Sequence, residues 1–138
     1  MALAFHEYYE KRANIDMTGS WEIEFEVVST AYRPFMGLRY TYKTHLLQNG
    51  KDIEGSGEKW WENGVEVPAP LHTAIKLKGA STRERVVLTY ELKGAKRDSI
   101  GSMTLEKTQD LGVLKGTFDG TAAEAKGVVR ARRTSKTP

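Results

Sequence analysis

Three histidines, His6, His45 and His72, are the side chains best suited to acid–base or metal chemistry, and they lie far apart. None of the short spacings that let two imidazoles share a metal is present. His45 and His72 fall at polar positions of their segments, which predicts them on exposed faces. The chain has no cysteine, so thiolate metal sites, a thiol nucleophile and a disulfide scaffold are all excluded. No Gly-x-Ser-x-Gly turn presents a serine nucleophile, and no glycine-rich loop ends in Gly-Lys-Ser or Gly-Lys-Thr to wrap a phosphate. Glu22, Glu24 and Glu26 share one face of an alternating segment. A row of like charges of that kind reads as a solubilising strand edge rather than an acid–base pair. No catalytic set emerges, and the expectation is a protein that is not an enzyme and that holds neither metal nor cofactor.

Binding chemistry is better represented. Tyr40, Tyr42 and Tyr90 fall on the apolar parity of their segments, together with the polar residues Thr44, Thr73, Arg97 and Ser99. A buried guanidinium without a partner costs several kcal/mol, about the penalty for any unpaired buried ion, so an inward Arg97 calls for an acid, a water path or a ligand. The alternative is a strand-end Arg97 that reaches solvent. Residues 29–38, STAYRPFMGL, form a connection rich in apolar and aromatic side chains. Loops run over surfaces, so Phe35 and Met36 either plug the end of the fold or form a lid with Arg33 facing an anionic group. The predicted ligand site is therefore Arg33, Tyr40, Tyr42, Thr73, Tyr90 and Arg97. Charge supports an anionic ligand: residues 1–70 carry 7 Lys/Arg against 11 Asp/Glu, and residues 71–138 carry 14 against 7. The basic end of the chain, residues 126–138, reads equally as a solvated tail. Direct binding of DNA or RNA is not expected, because Tyr40 and Tyr42 face inward while Lys43 takes the other parity, leaving no exposed stacking surface.

These residues need a scaffold, and its period is two rather than 3.6. Residues 20–28 place Trp21, Ile23, Phe25 and Val27 on one side and the three glutamates on the other. Similar alternation recurs over residues 39–48, 51–61, 71–79, 85–92, 97–107, 113–118 and 127–133. Asn49-Gly50 and Asn63-Gly64 are hairpin turn signals. The inward set of residues 51–61 is expected to be Ile53, Gly55, Gly57, Lys59 and Trp61, with the glycine pair at a sharp bend. Eight strands joined by tight turns predict an all-β antiparallel meander closed into a barrel, with a two-sheet sandwich as the competing arrangement. Residues 119–125 read as one helical turn, and residues 3–13 as a short amphipathic helix. The expected division is a helical or linker segment at 1–17, the barrel at 18–133 and a basic tail at 134–138. At 138 residues one domain is expected. With no apolar run near the roughly 18 residues of a membrane span and no leader-like start, a cytoplasmic location is expected.

Thr18-Gly19-Ser20-Trp21 opens the first strand with Gly-x-Trp, and the last strand carries Arg130, Arg132 and Arg133. This pairing resembles the calycin signature of lipocalins and related barrels, in which an early tryptophan closes the narrow end beneath an arginine from the far end of the chain. The resemblance implies Gly19, Trp21 and Arg132 as the structural signature, with Arg130 and Arg133 as the other candidates for the covering cation. The segments LLQNGKDIEGSGEKWWENG and LKGTFDGTAAEAKGVVRARR are also similar to the barrel sensor domains of bacterial anti-phage (CBASS-like) membrane effectors. That likeness implies a cytoplasmic sensor for a cyclic dinucleotide, attached to a membrane through segments absent from this chain and able to form a ligand-driven oligomer. A carrier of an apolar small molecule and a solid-core protein-interaction module remain the alternatives. Trp21, Phe25, Tyr40, Tyr42 and Tyr90 would by themselves go far toward filling a small barrel.

Overall fold

Alternating apolar and polar residues can bury one face only if the sheet wraps around it, and in the computed structural model it does. The structure describes residues 13–94, 98–121 and 124–138. Eight long strands, β1 (Gly19–Ser29), β2 (Arg39–Asn49), β3 (Asp52–Glu62), β5 (Ala74–Ser81), β6 (Arg85–Leu92), β7 (Ser99–Lys107), β8 (Val113–Gly120) and β9 (Lys126–Ser135), pair in chain order, and a two-residue strand, β4 (Val65–Glu66), folds back onto β3. Every pairing is antiparallel, and β9 returns to pair with β1 along its length. The sheet is thereby closed, which excludes the sandwich. Closure also places the Glu22–Glu26 row in the middle of the wall between β2 and β9, not at an edge.

The inner face carries what the alternation required. Trp21, Ile23, Phe25 and Val27 are buried, as are Leu46, Ile53, Leu88, Met103 and Leu105 from other strands. Gly57 lies where β3 presses onto β2: a Cβ there would collide with the Lys43 carbonyl and the Thr44 side chain, so the close approach depends on glycine. Asn63 and Gly64 both have positive φ, 51° and 79°, and connect β3 to β4 as a two-residue turn. The earlier hairpin turns one step later than its Asn-Gly pair suggests. Asn49 still pairs with Asp52, so Gly50 and Lys51 make the turn.

Four further expectations need correction. Proline at 68 and 70 holds residues 69–71 in a 3-10 turn, so β5 starts at Ala74 and Leu71 is exposed. β8 continues to Gly120, so residues 119 and 120 are strand rather than helix, while residues 122–123 of that expected turn lie outside the described residues. The third correction has the widest consequences. Trp61 pairs with Thr41 but Lys59 pairs with Tyr42, so Trp60 is an extra residue, a β-bulge. Because side chains alternate with period two, the bulge reverses parity beyond it. Trp61 therefore leaves the inner set and joins Thr41 on the outer wall, while Glu62 comes to the inner side opposite Tyr40. Fourth, His72 is not an exposed face residue. Its ring packs 4.5 Å from that of Trp60, and its Nε2 lies 2.6 Å from the Val67 carbonyl.

One end of the barrel is closed by the chain preceding β1. Ile15 and Met17 are buried, the Ser81 hydroxyl donates to the Ile15 carbonyl, and the Trp21 indole N–H donates to the Met17 carbonyl at 2.8 Å. The expected helix over residues 3–13 lies outside the described residues, apart from its last position. Among the described residues no helix is long and apolar enough to cross a membrane.

Candidate binding site: a tyrosine-lined barrel mouth

At the end opposite Trp21, one side chain organises its neighbours. Phe25 lies 5.7 Å from Tyr40, 5.7 Å from Tyr42, 5.3 Å from Tyr90 and 5.1 Å from Phe118, ring centre to ring centre. The register explains this convergence. Tyr40 and Tyr42 occupy alternate positions of β2, and Tyr40 is the direct partner of Phe25 on β1. Tyr90 enters from β6 opposite Gly101, where a Cβ would collide with its ring. Such edge-to-face and offset contacts contribute roughly 0.5–1.5 kcal/mol each beyond the area they bury.

The phenol groups sit in an unusual electrostatic setting. Burial pushes the Tyr42 hydroxyl well above the ordinary tyrosine pKa, aided by Tyr40 and Glu62, while a hydrogen bond with the Thr73 side chain acts the other way. Tyr90 is raised in the same manner by burial, then by Tyr40, Tyr42 and Asp119. Tyr40 is raised by burial and by Glu62. All three thus stay protonated at neutral pH and keep hydroxyl hydrogens to donate. Lys59, inward on β3, brings the nearby cation: its Nζ lies 3.9 Å from the Glu62 carboxylate and 6.0 Å from the centre of the Tyr40 ring.

The connection between β1 and β2 covers this end. Residues Arg33–Phe35 form a 3-10 turn, and Tyr32 packs edge-on against Phe35 at 4.8 Å. Phe35 and Leu38 rest on the core. Met36 does not join them; it is 54% exposed. The connection is tied down by hydrogen bonds from Val27 N–H to the Leu38 carbonyl and from Gly37 N–H to the Val27 carbonyl. Four of the six predicted ligand residues, Tyr40, Tyr42, Thr73 and Tyr90, therefore gather at one mouth. Arg33 stands exposed on the covering turn, and Arg97 lies outside the described residues. Glu62 and Asp119 are additions the sequence reading missed, and Lys59, expected inward but not assigned to the ligand site, joins them. The adjacent tryptophans at 60 and 61, which break the alternation, were the signal that could have revealed Glu62.

The signature end differs from expectation in one residue. Trp21 is 3% exposed, and the cation over its ring is Arg133, 4.8 Å from guanidinium carbon to ring centre, not Arg132. Arg133 pairs with Trp21 across the β1–β9 ladder, whereas Arg132 points to the outer wall and meets Glu22 at 2.6 Å. Arg133 also donates to the Asp16 carbonyl. Gly19 takes a φ of 142°, and a side chain there would strike the Ser135 carbonyl. Thr44, an expected inward polar residue, is buried and donates to the Trp21 carbonyl. Among the described residues no three potential ligand side chains gather to hold a metal ion.

No family model and no solved structure matches the chain. One curated protein is similar over part of it: a putative thiosulfate sulfurtransferase, mpst-1, of Caenorhabditis elegans, 28% identical over 88 residues. The similarity covers 59% of this chain and 27% of that protein, so most of the sulfurtransferase has no counterpart here. What is established for the chain is the architecture of its structure, an eight-stranded closed antiparallel barrel.

Proposed function

We propose that this barrel is a non-enzymatic binding domain whose tyrosine-lined mouth takes a small anionic ligand bearing aromatic bases, with a cyclic dinucleotide as the leading candidate. The observation that carries the reading is the meeting of Tyr40, Tyr42 and Tyr90 around Phe25 at the end where Thr73 and Lys59 also lie. Tyr40, only partly buried, offers a ring face to a base, while Tyr42 and Tyr90 are buried against Phe25 behind it, and Lys59 and Arg33 offer charge-assisted contacts to phosphate. Since the interior is occupied by the Phe25 cluster, the ligand sits in the mouth under the Arg33–Phe35 turn rather than deep in the barrel. The partial likeness to a sulfurtransferase does not enter this reading, because the chain has no cysteine to accept a sulfur.

The test is a thermal-shift screen of cyclic di- and trinucleotides against fatty acids and haem, with Lys59→Ala, Arg33→Ala and Tyr90→Phe beside the parent. A ligand that binds only the native state adds about 2.7 kcal/mol at a hundred times its dissociation constant. The expected result is a nucleotide-specific rise that Lys59→Ala reduces. A rise with apolar ligands alone would replace the sensor by a carrier. The filled interior favours a second reading, a solid-core interaction module, and a screen with no rise for any compound would select it.

A further inference from the structure

We infer that Glu62 selects the base at the tyrosine mouth and that the base is guanine, an inference that rests on the binding function proposed above. Carboxylates are unexpected at a mouth that takes an anion, because like charges repel phosphate. Asp119 and Glu62 each have a lysine nitrogen at 3.9 Å, from Lys126 and Lys59 respectively. That distance balances charge but lies beyond hydrogen-bond reach. The carboxylate oxygens are therefore acceptors that call for donors, and phosphates supply none. A base does, and Glu62 stands beside the ring that can carry one.

The bulge at Trp60 brings Glu62 directly opposite Tyr40, and opposed residues of neighbouring strands have Cβ atoms about 4.5–5.5 Å apart. The Glu62 charge is felt by the phenols, where it disfavours ionisation of both Tyr40 and Tyr42. The Glu62 side chain is 45% exposed, so an incoming ligand can reach it. Tyr40 is only partly buried. Phe25 stacks on one face of its ring at 25°, and a base takes the other, with its edge toward Glu62 and Lys59.

The donor pattern then decides which base. A carboxylate offers acceptors only, and a lysine ammonium offers donors only. Guanine alone among the common bases has two adjacent N–H donors, on N1 and the 2-amino group, with the O6 acceptor beside them. The two oxygens of Glu62 accept that pair, and Lys59 donates to O6. Adenine presents one donor beside a bare ring nitrogen, whose lone pair would face a carboxylate oxygen. A site built to hydrogen-bond its ligand rejects one that lacks the matching group, because the site's own polar atom is left unpaired. The phosphates lie away from the carboxylate, toward Arg33 on the covering turn.

Isothermal titration calorimetry of the full chain tests this with cyclic di-GMP, cyclic di-AMP and the inosine analogue that lacks the 2-amino groups. The parent should bind cyclic di-GMP at least about tenfold more tightly than either of the others, the worth of one hydrogen bond to a charged group. Glu62→Gln exchanges an acceptor for a donor, and an amide can pair with adenine at two points. That variant should move the preference toward cyclic di-AMP by at least about tenfold, with the melting temperature near the parent's. Glu54→Gln, in a separate groove of the outer wall, should leave all three affinities unchanged. Cyclic di-AMP or the inosine analogue binding the parent as tightly as cyclic di-GMP, or Glu62→Gln keeping the parent's preference, overturns the inference and leaves the proposed binding function standing. Binding of none of the three overturns that function and the inference with it.

Discussion

Replacing Trp21 by alanine offers the sharpest check on how the barrel is closed. Three contributions disappear together. The indole is 3% exposed and fills the end of the barrel, its N–H donates to the Met17 carbonyl, and its face carries Arg133. Truncation of a buried large aromatic costs about 3–5 kcal/mol including the cavity. The orphaned Met17 carbonyl moves the value toward the upper end, since an unsatisfied buried acceptor costs about 1–3 kcal/mol. Arg133→Ala should cost about 1–2 kcal/mol, of which about 0.5–1 is coupling to Trp21 through the cation–π contact. Arg132→Ala removes only the partly exposed pair with Glu22 and should cost at most about 1 kcal/mol. Urea denaturation followed by far-ultraviolet circular dichroism measures all of these, and a double-mutant cycle isolates the coupling. Coupling of Trp21 to Arg132 as large as that to Arg133, or a loss below about 1.5 kcal/mol for Trp21→Ala, would refute the reasoning.

Alkaline pH should destabilise the barrel through its mouth. The folded-state pKa values of Tyr40, Tyr42 and Tyr90 lie above that of a free phenol, so their contribution is fully present below about pH 10 and is lost as pH rises through the folded values. Each contributes a slope of up to about 1.4 kcal/mol per pH unit in that window. Urea titrations at several alkaline pH values measure the slope, and Tyr42→Phe should flatten it. Gly101→Ala should displace the Tyr90 ring and destabilise by about 1–3 kcal/mol, as overpacking does; an unchanged melting temperature would contradict the packing at the mouth.

The alternation of Trp21, Ile23, Phe25 and Val27 against Glu22, Glu24 and Glu26 determined by itself that β1 is a strand with one buried face. Repeated eight times with short turns, the same local signal determined an antiparallel run of strands, because strand period and turn chemistry are properties of neighbouring residues, whereas closure into a barrel rests on β9 meeting β1. The tyrosines at 40, 42 and 90 were legible for the same reason, since parity alone puts them inside. What the sequence could not decide were the features set by pairing. Whether Arg130, Arg132 or Arg133 covers Trp21 depends on the register between β1 and β9, strands at opposite ends of the chain. Whether Trp61 faces in or out depends on one unpaired residue at the bulge, and that same residue brings Glu62 to the mouth. The glutamate row looked like an edge because nothing local shows that β9 returns to cover it. A one-residue slip in a period-two structure exchanges inside for outside, so contacts made across the closed sheet, not the alternation itself, decided which side chains share the tyrosine mouth and which, like Trp61, turn to the outer wall.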